Sequence, residues 1–314
     1  MVESKYKLKK AKSKTLDLVY SWVNNQDPRW IKKYYKYNKN IDKKRHTNYG
    51  EIYFSLETVR HYMTFVRKIY ILTDNQKLDH QKVHKDILKK IVYVDHKDII
   101  NPKYLPCFNS SVFEFYLHKI PGLSENFLYT NDDTFVGKKI TKDIFFDENG
   151  YFKAYLNKTP RDITLFENSN IDSLDKQFLH WPRNTVNLLL KYIDNPHYST
   201  IHNFYTMNKT ANQKALDLIG MENIEKTFTM TRQKINLLPM VFFQLFGVYF
   251  GYLKLYPSRG NVNFAVYYLD NPQNAYYAYK TIMRKEHHFF CINEINKNTY
   301  FAYKKVLNNY LKNY

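Results

Sequence analysis

Two cysteines, Cys107 and Cys291, stand in a chain of 314 residues. They supply neither a disulfide framework nor a Cys/His zinc spacing, so the fold must rest on packing, and a reducing compartment suits it best. Glycines are also few, eight in all. None forms a Gly-rich phosphate loop, and no Ser-nucleophile elbow is present. The opening MVESKYKLKKAKSKT has no apolar core of signal-peptide type and reads as a basic tail over residues 1–14. The longest apolar stretch, INLLPMVFFQLFGVYFGYL (235–253), is interrupted by Asn236, Pro239, Gln244 and two glycines. It is expected to be a buried helix entered through Pro239 rather than a membrane span.

Aromatics are abundant, with 30 Tyr and 22 Phe. That is ample for a packed core and excludes the disordered class. The charge balance is 48 Lys+Arg against 29 Asp+Glu, a net +19. Such an excess suits an anionic partner: a nucleotide, a nucleic acid or an anionic membrane face. The basic residues are dispersed and no nucleic-acid-binding motif is present, so no nucleic-acid partner is expected. The expectation is a cytoplasmic protein, either soluble or peripheral on the inner face of the membrane through its basic surface.

Short apolar runs alternate with helical patterns. LDLVYSWV (16–23), KIYILTD (68–74), LKKIVYVD (88–95) and ENFLYTNDD (125–133) read as strands. Between them, EIYFSLETVRHYM (51–63) sets Ile52, Leu56, Val59 and Met63 on one helical face, and SSVFEFYLHKI (110–120) reads as a capped helix. NTVNLLLKYI (184–193), NKTANQKALDLIG (208–220) and the basic TYFAYKKVLNNYLKNY (299–314) are further helices. The pattern predicts an α/β fold, a mostly parallel sheet flanked by helices. A single main domain over 15–295, with a helical and loop insertion at about 150–200, would precede a C-terminal helix at 296–314.

Ligands of such sheets sit beyond the carboxyl ends of the strands. Asp74 and the pair Asp132–Asp133 lie at such ends. Asp17 starts its strand, and would reach the cleft together with Asp27 if that strand bent at Ser21 or Trp22. FLYTNDD (127–133) is the most telling stretch, because adjacent carboxylates repel and a fold does not place them together for stability alone. A divalent metal, a general base or an acidic turn would each account for the pair. Asn131 precedes it. Asn109, Ser110 and Ser111 would open a helix N-terminus. His202 lies in STIHNFYTMNK, Arg232 offers a bidentate fork for phosphate, and Glu294 in CINE is a late carboxylate able to complete a metal site.

DLVYSWVNNQDPRW (17–30) resembles the first conserved region of the Stealth family of sugar-phosphate transferases. SLETVRHYMTFVRKIYILTDNQ (55–76) and LPCFNSSVFEFYLHKIPGLSENFLYTNDDTFVG (105–137) are similar to the second. IHNFYTMNKTANQKAL (201–216) with TMTRQKIN (229–236) looks like the third, and FFCINE (289–294) like the fourth. The resemblance spans about residues 16–295. It implies a nucleotide-sugar (GT-A-like) architecture and transfer of a hexose-1-phosphate from a UDP-sugar donor to a sugar hydroxyl of a polysaccharide acceptor. UMP would leave, and Mg²⁺ or Mn²⁺ would assist. Asp17, Asp132, Asp133, His202 and Arg232 match motif positions placed in the active site. Trp22, Asp27, Asp74, Gln76, Asn109, Ser110 and Asn131 would bind substrate, and Asp133 with Glu294 would hold the metal. His202 or Asp132 would accept the proton of the acceptor hydroxyl. The sequence departs from the family pattern at Asn24, Glu57, the Asn-Phe after His202, and Asn293-Glu294.

Overall fold

In chain order the strands are β1 (Asp17–Ser21), β2 (Ile69–Thr73), β3 (Ile91–Asp95), β4 (Asn126–Asn131), β5 (Thr134–Val136), β6 (Lys153–Lys158), β7 (Tyr198–Ser199), β8 (Tyr205–Asn208), β9 (Lys254–Pro257), β10 (Phe264–Tyr268) and β11 (Phe289–Asn293). This is a computed structural model that describes residues 2, 4–38, 48–159, 180–200, 202–258, 261–293, 295 and 298–312. The central sheet has the order β3-β2-β1-β4-β8. Its first four strands are parallel, and β8 is antiparallel to β4. All five residues of β2 are buried, as a parallel strand covered on both faces requires. The four strands expected from their apolar runs are these four.

Two smaller sheets flank the central one, β10-β11-β5 and β7-β6-β9. The chain passes from the central sheet to the first of these in two residues, because only Asp132 and Asp133 separate β4 from β5. The helix Glu51–Tyr62 packs on β5 as well as on the core. Its Ser55 donates to the Thr134 carbonyl, and its Thr58 hydroxyl accepts from the Val136 N–H at 3.1 Å. Ile52, Leu56 and Val59 are buried on its core side.

The run at 110–120 is not one α-helix. Ser110–Phe113 is a single α turn that tightens into a 3₁₀ segment, Glu114–Lys119. Five consecutive side chains there, Glu114 to His118, are buried, which a helix with one apolar face does not accommodate. The helix Pro239–Tyr249 is buried on almost every side and starts at its proline. Among the described residues no helix is long and apolar enough to cross a membrane.

Both chain ends pack on the core. The Lys5 and Lys9 amides donate to the carbonyls of Tyr249 and Gly251, and Lys9 Nζ lies 3.9 Å from the centre of the Tyr252 ring. Gly251 has φ +75°, and a Cβ there would meet the Lys7 carbonyl oxygen at 2.6 Å, so the close approach needs glycine. In the helix Tyr300–Lys312, Tyr303, Val306, Leu307 and Tyr310 are buried, and the Tyr310 hydroxyl donates to the carbonyls of Val136 and Gly137. Residues 160–179 of the expected insertion lie outside the described residues. Its described flanks are β6 and the helix Trp181–Leu189.

Candidate active site

The acidic pair occupies the turn that carries the chain between two sheets. Three bonds fix that turn: Ser55 to the Thr134 carbonyl, Ile292 N–H to the Asp133 carbonyl at 3.1 Å, and Thr134 Oγ1 to Asp133 Oδ1 at 3.4 Å. A third carboxyl, Glu51, is buried beside the pair at the start of its helix and accepts from the Tyr49 N–H at 2.7 Å. Burial lifts the Glu51 carboxyl to about 7 against the pull of its backbone hydrogen bonds, and the Asp133 charge adds to the rise. Part of Asp132 stays open to solvent, yet desolvation dominates. With the charges of Glu51 and then Asp133, it holds the Asp132 carboxyl well above the usual carboxylate range. The buried Tyr303 feels all three carboxyls, and its hydroxyl has no hydrogen-bond partner in the protein.

His202 reaches this turn because β8 pairs with β4 up to Tyr129 opposite Tyr205, and Thr130 Oγ1 donates to the Asn203 carbonyl at 3.0 Å. The Asn131 amide nitrogen then lies 3.3 Å from His202 Nδ1. Ligand atoms of Asp133, His202 and Cys291 all lie within 4.8 Å of one another. Behind them runs a buried polar chain. Glu114 accepts from the Tyr129 hydroxyl at 2.8 Å, and that hydroxyl meets Ser21 Oγ at 2.8 Å and Asn131 Oδ1 at 3.3 Å. Burial lifts the Glu114 carboxyl to about 7, tempered by the Tyr129 hydrogen bond and the charge of Arg232.

A second group forms where two loops meet. Arg232 donates to Ser110 Oγ at 3.2 Å, and its guanidinium lies 5.5 Å from the centre of the Trp181 ring. Asn109 is wholly buried and ties the loops together. Its Oδ1 accepts from the Ser111 N–H at 3.1 Å, while Nδ2 donates to the Thr229 carbonyl at 3.1 Å and to Asn236 Oδ1 at 3.0 Å. Asn109 is therefore occupied by the protein itself rather than free for substrate.

A third group lies over the carboxyl ends of β1 and β2. An open pocket there is lined by Asn24, Gln26, Asp27, Arg29, Gln76 and Lys77, among others. It does not include the acidic pair, although β1 and β4 run side by side with Ser21 opposite Asn131. Gln76 exchanges hydrogen bonds with the Asn24 backbone at 2.8 Å in both directions, and Asp27 caps the helix Pro28–Tyr37. Trp22 is buried, and its indole N–H has no partner in the protein. Asp74 is engaged by Lys33 at 2.7 Å.

Asp17 is not brought to the cleft. β1 keeps unbroken register with β4 from Asp17 opposite Phe127 to Ser21 opposite Asn131, so no bend carries Asp17 forward. Four residues of strand, about 13 Å, separate it from the carboxyl end. There it is fully buried and accepts from Arg67 Nε (2.8 Å), Arg67 Nη2 (2.5 Å), Lys68 N (3.1 Å) and Ser124 N (2.8 Å). Glu294 lies outside the described residues. Sequence reasoning missed Glu51, Glu114, Cys291 and Tyr303. Their only local signals were an acid opening a helix, an acid in a capped turn, a cysteine inside FFCINE and a tyrosine on an amphipathic helix.

The donors present fit a divalent cation. The Asp133 carboxylate lies within 4.8 Å of an imidazole nitrogen and a thiol sulfur, and the carboxyls of Glu51 and Asp132 are near enough to interact with its charge.

Residues 45–154 match Stealth protein CR2, conserved region 2. The capsular polysaccharide phosphotransferase fcs1 of Haemophilus influenzae is 31% identical over 324 residues, covering 95% of this chain and 83% of that protein. A capsular polysaccharide phosphotransferase of Neisseria meningitidis serogroup B is 31% identical over 306 residues, covering 90% and 78%. The chain belongs to this Stealth family of capsular polysaccharide phosphotransferases. It spans 60% of the relative cps1A from Actinobacillus pleuropneumoniae, at 35% identity over 232 residues. Among solved structures, the galactosyltransferase LgtC with donor and acceptor sugar analogues matches 93% of this chain and 95% of its own, at 10% identity and a TM-score of 0.44.

Proposed function

We propose that the protein transfers a hexose-1-phosphate from a UDP-sugar to a sugar hydroxyl of a growing capsular or other cell-surface polysaccharide and releases UMP. The observation that carries this reading is the placement of His202 against the Asp132–Asp133 turn at the carboxyl end of β4. Membership of a phosphotransferase family supports it.

In the proposed reaction the acceptor oxygen forms a bond to the β-phosphorus, the one that bears the sugar. The bond from that phosphorus to the bridging oxygen breaks, and the electron pair leaves with UMP. His202, exposed at the cleft, takes the acceptor proton; Asp132 is the alternative base. Asp133, with Asp132 beside it, would hold Mg²⁺ or Mn²⁺, which when bound neutralises charge on the diphosphate. Arg232, set by Ser110 and Trp181, would clamp phosphoryl oxygens. The pocket at Asp27 and Gln76 would receive the nucleotide, and Trp22, buried and outside the pocket lining, would support it from the core.

The test is incubation with a panel of UDP-sugars, Mg²⁺ or Mn²⁺ and capsule-type oligosaccharides, reading the nucleotide product by anion exchange. UMP that needs both acceptor and metal is expected. UDP would instead make the protein a glycosyltransferase that moves the sugar alone, and an Asp133→Ala protein with full metal-dependent transfer would overturn the assignment of Asp133. Attachment to the inner membrane face is part of the proposal. It predicts co-sedimentation with anionic vesicles at low salt, and a protein left in the supernatant would refute it.

A further inference from the structure

We infer that Asp133, His202 and Cys291 form a site for a thiophilic divalent cation, Zn²⁺ by its donor set, which competes with the oxygen-seeking ion for the Asp133 carboxylate. Binding stands on geometry alone; only its effect on transfer rests on the function proposed above.

The three donors come from three separate parts of the chain. Asp133 lies in the β4–β5 turn, His202 in the loop before β8, and Cys291 in the middle of β11. Their ligand atoms nevertheless converge within 4.8 Å. The convergence is built. Cys291 stands opposite Thr134 in the β11–β5 ladder, so the strand that carries the thiol is locked to the residue after Asp133. The Ile292 N–H holds the Asp133 carbonyl, and the Asn131 amide nitrogen lies 3.3 Å from His202 Nδ1. Zinc bound by a carboxylate, an imidazole and a thiolate has bond lengths of about 2.0 to 2.3 Å. Donors must then draw slightly closer, and the exposed His202 is the one free to move.

Donor chemistry selects the ion. Mg²⁺ takes oxygens in an octahedron and has little use for sulfur, whereas Zn²⁺ takes mixed oxygen, nitrogen and sulfur ligands at low coordination number. Charge balances as well. The Asp133 carboxylate and a Cys291 thiolate together neutralise Zn²⁺, the thiol proton passes to water, and neutral imidazole is the third ligand. A His202 held by zinc cannot accept a proton, so micromolar Zn²⁺ would inhibit transfer while Mg²⁺ sustains it.

Metal-free protein would be titrated with Zn²⁺ against a chromogenic chelator, and with Co²⁺ as a spectroscopic substitute. One ion per chain is expected, with an intense thiolate-to-cobalt absorption in the near ultraviolet. Cys291→Ser should abolish that band, and Cys107, buried beside Asn109, is the internal control because it remains in the variant. His202→Ala, at an exposed position, should weaken zinc binding by more than about tenfold, and its thermal unfolding should match that of the parent chain. Absence of the cobalt–thiolate band in the parent chain, or equal zinc affinity in all three proteins, would overturn the inference. Zinc binding without any UMP formation would keep the inference and remove the proposed function; UMP formation without zinc binding would do the reverse.

Discussion

Replacing Asp17 separates the two roles this residue can have. Its carboxylate is fully buried and accepts four N–H bonds, two of them from Arg67. In Asp17→Ala the N–H groups of Ser124 and Lys68 and the guanidinium of Arg67 lose their acceptor. Breaking a buried charge pair costs about 3–5 kcal/mol. Arg67 is 45% exposed, so water recovers part of its loss and the lower end applies, about 3 kcal/mol. At about 2.1 cal/mol/K per residue, a chain of this length unfolds with an entropy of roughly 0.66 kcal/mol/K. The unfolding midpoint should therefore drop by about 4–5 °C. Transfer by the folded fraction should survive at low temperature, because Asp17 stands at the amino end of β1. Differential scanning calorimetry beside the nucleotide-release assay measures both. An Asp17→Asn protein with unchanged midpoint and abolished transfer would refute the structural assignment and return Asp17 to the active site.

Other substitutions probe the cleft. His202→Ala should leave the midpoint within about 1 °C, as at other exposed positions, while transfer falls by about 10²–10⁴-fold. Asn109→Ala should cost about 2–3 kcal/mol, since it orphans the Ser111 N–H and releases the Thr229 and Asn236 loop; transfer should fall with it as Arg232 loses its register. Glu114 sets a pH dependence. Its folded carboxyl is raised to about 7 by burial, so its contribution to stability is lost as pH climbs from the ordinary carboxylate range near 4 to about 7. Thermal unfolding of Glu114→Gln should fall less over that window than that of the parent chain, and an identical slope would show that Glu114 does not titrate there.

Much of this protein is legible from its residues in order. Four apolar runs fixed four strands of the central sheet, because a strand covered on both faces must be apolar throughout. The carboxylates at the end of β4 singled out a candidate site, because like charges side by side need a reason. Family resemblance gave His202 and Arg232 active-site roles, where local chemistry had offered them only as candidates among eleven histidines and the many cations. What stayed hidden depends on contacts across the chain. Asp17 belongs to the opposite end of the sheet because β1 runs straight in register with β4. Glu51 and Tyr303 close on the acidic turn from 81 residues before and 171 after Asp132, and Cys291 faces Asp133 only because β11 pairs with β5. Periodicity reports which face of an element is buried, and it is blind to which other element covers that face. The sequence thus determined four strands of the central sheet and the acidic end of β4, and the tertiary pairing alone decided which donors surround it.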